Sequence, residues 1–98
     1  MDTIERSFRE AQECLAAFLA DVEQFGRVRR FADVLAACFR NGGKALSCGN
    51  GGSMSDAMHF AEEWSGRYRS ERPPLPAIAF SDPGHMSCVA NDYGFAEV

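Results

Sequence analysis

The stretch "KALSCGNGGS", Lys44 to Ser53, decides the fold. Its first half, "KALSC", is a short apolar run of the length expected for a buried strand. Its second half places three glycines, an asparagine and a serine directly after that run. From Met54 to Tyr68 the residues become helix-compatible, so the local order reads strand, glycine loop, helix. "SERPPLP", Ser70 to Pro76, then holds three of the four prolines and must be an extended connection. "AIAF", Ala77 to Phe80, reads as a second buried strand. Two short apolar strands joined through a helix predict a right-handed βαβ unit with a parallel pair, which makes the chain α/β.

Working outward, "SDPGHMSCVANDYGF" predicts a further helix, with Ser81 or Asp82 as its N-cap and Pro83 at its first position. Upstream, "NGG" at Asn41 to Gly43 ends a helix whose apolar face is Val28, Phe31, Ala32, Leu35, Cys38 and Phe39. Before it, Ile4, Phe8, Ala11, Leu15, Phe18, Val22 and Phe25 recur at spacings of four and three. This is the seam of a helix that packs on other helices, begun by a capping box from Asp2 to Glu5 and ended or kinked at Gly26. Such a segment serves an intramolecular helical hairpin or an interface between subunits. Residues 1–41 are therefore read as N-terminal packing helices and residues 42–98 as the opening half of a ligand-binding domain. A two-stranded parallel sheet has open edges, so the chain is expected to be truncated.

Composition narrows the function classes. The chain has 98 residues, 46% of them hydrophobic, which is a globular composition. So short a chain buries a modest core, so an oligomeric partner or missing sequence is expected. The formal net charge is −4. The one dense basic cluster, "GRVRR" at Gly26 to Arg30, is ordinary helix surface, so no nucleic-acid partner is expected. No apolar run marks a signal peptide or a membrane span. Cys14, Cys38, Cys48 and Cys88 lack C-x-x-C spacing, which fits a reducing cytoplasm. Cys48 has no histidine near it in sequence to activate it.

In an open parallel sheet, ligands bind beyond the carboxyl ends of the strands, and "GNGGS" leaves the first strand at such an end. Gly49, Gly51 and Gly52 allow close backbone approach, and the start of the following helix favours an anion such as phosphate. The loop matches neither the dinucleotide fingerprint nor a P-loop. Alone, it fits a plain turn as well as a ligand loop. Ser55 or Asp56, His59 and Glu63 follow at about one turn each and share the helix face that starts at the loop. His59 and Glu63 at i and i+4 suit joint metal binding, Glu63 suits a general base, and the same pair also suits an exposed helix surface. Arg67, one turn on, could neutralise a phosphate or sit in solvent. Asn91 and Asp92 are expected near the carboxyl edge of the sheet, where they could grip sugar hydroxyls, although "NDYG" is also an ordinary helix-ending turn.

Together, "CGNGGS", "DAMHFAEE", "GRY", "ERPPLPAIAF" and "ANDYGF", spread over Gly42 to Phe95, resemble the N-terminal half of the phosphoheptose isomerases. These are the sedoheptulose 7-phosphate isomerases of the sugar-isomerase (SIS) superfamily. The helical region before Gly42 agrees in length and pattern only. The resemblance implies a partial SIS domain, flavodoxin-like with a parallel sheet in three layers, preceded by a helical hairpin. It implies a cytoplasmic homotetramer that makes D-glycero-D-manno-heptose 7-phosphate on the way to lipopolysaccharide, with one zinc ion per subunit. It assigns Asn50, Gly51, Gly52 and Ser53 to substrate, Ser53 near the phosphate. His59 becomes a zinc ligand, Glu63 both metal ligand and catalytic base, and Asn91 and Asp92 sugar contacts. The family's second half supplies a serine/threonine phosphate loop, and a glutamine and a histidine that complete the metal site and provide the acid. None of these lies in these 98 residues, and His85 does not match that histidine's motif. The chain alone is therefore expected to be inactive. A rival resemblance is to non-catalytic SIS adaptors that bind the bacterial replication initiator. Those adaptors lack a carboxylate at the Glu63 position, so "AEEW" favours the enzyme. A sugar-sensing regulator would need a DNA-binding region, and none is visible.

Overall fold

The computed structural model describes all 98 residues, in the order α1 (Thr3–Ala20), α2 (Val22–Arg40), β1 (Ala45–Ser47), α3 (Gly52–Ser65), β2 (Ala77–Ala79) and α4 (Pro83–Tyr93). A short 3-10 turn follows at Phe95–Glu97. The chain divides into two compact units, Met1–Ala37 and Cys38–Val98.

In the first unit, Asp2 caps α1 by accepting from the Glu5 amide at 2.8 Å, as its sequence position predicts. The helix break, however, falls at Asp21 and not at Gly26, which lies inside α2. Asp21 is extended (φ −92°, ψ 98°), and its amide still donates to the Phe18 carbonyl at 3.3 Å. Its carboxylate accepts from the Glu23 amide at 3.0 Å, so one residue closes one helix and opens the next. A single residue is shorter than the connection an αα-hairpin uses. The two helices consequently share one edge-to-face pair across the junction, Phe18 with Phe25, ring centroids 5.8 Å apart. Every residue of α1 is exposed. Phe8, at 74%, and Val22, at 79%, stand on an apolar stripe that nothing in this unit covers.

In the second unit, β1 and β2 pair in parallel with Ala45 opposite Ala77, Leu46 opposite Ile78 and Ser47 opposite Ala79. The expected β–α–β order is present, with α3 against both strands. The buried core is made of alanines: Ala45 on the strand and Ala57 and Ala61, one turn apart, on the helix. Small side chains let the helix approach closely, and the Ser47 hydroxyl donates to the Ala57 carbonyl at 2.8 Å. On the other face of the sheet, Leu46 and Ile78 face solvent on adjacent strands, each more than half exposed. An aromatic cluster braces the base of the unit, with Trp64 5.3 Å from Phe39 and 5.9 Å from Phe60. Gly42, at φ 77°, supplies the left-handed residue that ends α2. Asp82 is the N-cap of α4, accepting from the His85 amide at 2.8 Å with Pro83 at the first helical turn, in agreement with the sequence. No helix is long and apolar enough to cross a membrane.

Candidate active site

The loop between β1 and α3 is closed from within. The Ser53 hydroxyl accepts from the Asn50 amide at 2.8 Å and donates to the Asn50 carbonyl at 2.8 Å. The Ser53 amide donates to the same carbonyl at 3.1 Å. Gly51 takes φ 57° and ψ −120°, open only to glycine, and starts α3 without a side-chain cap. Of the first amides of α3, that of Ser53 is turned back into the loop, so the positive end of the helix dipole is left without a side-chain cap.

Along α3 the helical period brings His59 and Glu63 together, with His59 Nε2 3.4 Å from Glu63 Oε1. Glu63 is half-buried, whereas the His59 side chain is 71% exposed. Glu62, which the sequence reading does not assign, joins them. One ligand atom from each of His59, Glu62 and Glu63 lies within 4.8 Å of the others. Its place at i+3 from His59 is the signal that would have found it. The donor types suit a divalent metal such as zinc, and the His59–Glu63 separation of 3.4 Å, unlike the 4.8 Å bound on the whole set, is close to the spacing of two zinc donors. Imidazole nitrogen and carboxylate oxygen are zinc donors, and two donors at tetrahedral zinc stand about 3.3 Å apart.

A cavity of about 950 Å³ opens where β1 and β2 end. Met54, Ile78, Phe80, Met86 and Phe95 give it apolar walls, and Cys48, Asn50, Asp82 and His85 supply polar groups. Folding therefore brings His85 to the same cavity as Cys48, a proximity that sequence distance conceals. Of the expected substrate residues only Asn50 lines this cavity. Asn91 and Asp92, expected near the carboxyl edge of the sheet, are not among the residues that line this cavity, whereas Asp82, the cap of α4, is. The Asn91 amide donates to the Asp92 carboxylate at 3.0 Å, and both residues are exposed.

Residues 8–98 match the model of the SIS domain family. The phosphoheptose isomerase of Tolumonas auensis is 54% identical over 97 residues, covering 99% of this chain and 50% of the relative. The phosphoheptose isomerase of Escherichia coli O7:K1 is 56% identical over 97 residues with the same coverage. Among solved structures, a phosphoheptose isomerase from Francisella tularensis aligns with a TM-score of 0.81 at 34% identity, covering 98% of this chain and 51% of that one. The chain spans about half the length of the curated relatives it matches. With nearly all of its length inside the family model, the chain belongs to the SIS domain family.

Proposed function

We propose that the polypeptide carrying this chain is a phosphoheptose isomerase. It would interconvert sedoheptulose 7-phosphate and D-glycero-D-manno-heptose 7-phosphate, a first step toward ADP-heptose and lipopolysaccharide. The observation that carries the reading is the Glu63 carboxylate beside His59, on the helix that the glycine loop begins. The reaction moves a hydrogen between adjacent carbons. A base removes the proton α to the carbonyl, an enediol forms, and an acid serves the oxygen. Glu63 is the base. Asn50, Gly51, Gly52 and Ser53 bind substrate, with the phosphate drawn to the uncapped start of α3. Asn91 and Asp92 offer amide and carboxylate oxygens to the sugar hydroxyls. His59 and Glu63 hold zinc, which when bound supplies Lewis-acid stabilisation of negative charge on the sugar oxygens. The acid and the remaining metal ligands come from outside these 98 residues.

The exposed apolar stripe of α1 and α2 supports assembly into a homo-oligomer, a tetramer by family likeness, and four unpaired cysteines fit a cytoplasmic location. Purified at its natural length, the polypeptide should convert sedoheptulose 7-phosphate, lose activity to a chelator, recover it with zinc and sediment as an oligomer. A zinc-loaded protein without turnover would overturn the assignment, and a monomer in sedimentation would remove the assembly.

A further inference from the structure

The last turn of α3 leaves carbonyls without partners inside the helix. The Glu62 carbonyl accepts from the Gly66 amide at 2.7 Å. The next two are taken by one side chain from the proline-rich connection. Arg72 donates through Nη2 to the Glu63 carbonyl at 2.7 Å and through Nη1 to the Trp64 carbonyl at 3.0 Å. The Leu75 amide also donates to Trp64, at 2.9 Å. Nη1 further donates to the Pro73 carbonyl at 3.1 Å, and the Arg72 carbonyl is itself held by Arg67 Nε at 3.0 Å. Arg72 forms no ion pair with a carboxylate, so its bonding is directed to main chain. A planar guanidinium presents separate nitrogens to two adjacent carbonyls in a fixed fork that an ammonium lacks, and its charge suits the negative end of the helix dipole.

Glu63 lies two residues from the end of α3, where helices fray. From these contacts we infer that Arg72 is a positioning residue for Glu63, acting through the main chain of the last helical turn. The inference rests on the reading of Glu63 as the base. A base must be held within a fraction of an ångström of its productive place, and misplacement by about 1 Å can cost on the order of 100-fold in rate.

The test compares Arg72→Met and Arg72→Lys with the unaltered polypeptide at natural length, by steady-state kinetics and amide hydrogen exchange. Arg72→Met should lower kcat by roughly tenfold to a hundredfold with little change in KM, and Arg72→Lys should recover part of the loss. Exchange should quicken in the last turn of α3 and stay unchanged in β1 and β2. Should Arg72→Met not fold, Arg72→Lys carries the comparison, with a smaller loss in kcat. Unchanged exchange in the last turn, or a fall in kcat/KM that lies in KM alone, overturns the inference. An inactive unaltered protein sinks the isomerase reading instead. Exchange then decides whether Arg72 clamps the turn, faster exchange supporting the clamp and unchanged exchange overturning it.

Discussion

Replacing Glu63 by Gln should lower isomerase turnover by roughly 10² to 10⁴-fold while leaving the fold intact. Gln keeps the shape and hydrogen-bonding reach of Glu but can neither accept the proton nor carry the negative charge. The fold should tolerate the change because the partner group, His59, is largely exposed. Surface pairs of this i, i+4 kind contribute about 0.3–0.5 kcal/mol at most. The buried core beneath is made by Ala45, Ala57 and Ala61, which the substitution does not touch. Glu63→Asp should fall between, since it retains a carboxylate but withdraws it by one methylene from a position set by the helix. Zinc content measured on each variant separates loss of the base from loss of the metal. A Glu63→Gln protein that folds, holds zinc and turns over at the original rate would remove Glu63 from the base role. Full loss of activity accompanied by loss of the cooperative thermal transition would indicate a structural role instead.

The second unit was legible from short-range chemistry. Apolar runs at Ala45 and Ala77, a glycine loop after the first and prolines before the second specify strand, helix and return without reference to distant residues. Asp82 and Pro83 announce the start of α4 in the same way. The break between α1 and α2 was not legible, because the apolar spacing from Ile4 to Phe25 runs through it without interruption. It depends on one extended residue, Asp21, whose carboxylate caps the following turn. Gly26 attracted the assignment by composition, yet a helix of 19 residues can carry one glycine at a cost of about 1 kcal/mol.

The site divides along the same line. The His59–Glu63 pair follows from helical period, and Glu62 was accessible to the same rule. Arg72 was not, because it reaches the end of α3 from a connection eight and nine residues later in the chain. Nor was the inward turn of the Ser53 hydroxyl, which depends on the backbone path between Asn50 and Ser53.

Alanine at two glycines of one loop should give opposite outcomes. A Cβ at Gly49 would lie 2.5 Å from both the carbonyl carbon and the oxygen of Ser53, and 2.7 Å from its hydroxyl. Two of those atoms are main chain and cannot swing aside, and Ser53 is the residue that closes the loop. Gly49→Ala should therefore destabilise the protein by about 1–3 kcal/mol, read as a lower thermal midpoint. A Cβ at Gly52 meets nothing within 4 Å, and this residue does not adopt a left-handed φ. Gly52→Ala should leave stability unchanged or raise it by about 0.4–1 kcal/mol, by restricting the unfolded chain. If the open space at Gly52 is where substrate comes against the backbone, the added methyl should still raise KM by roughly tenfold, because one misfitting methyl costs about 1–3 kcal/mol of binding. A plain turn predicts the stability gain with no change in KM. Equal stability of the two variants would refute the packing account of the loop. A stable Gly52→Ala protein with unaltered KM would show that the loop only reverses the chain and that the phosphate is held elsewhere.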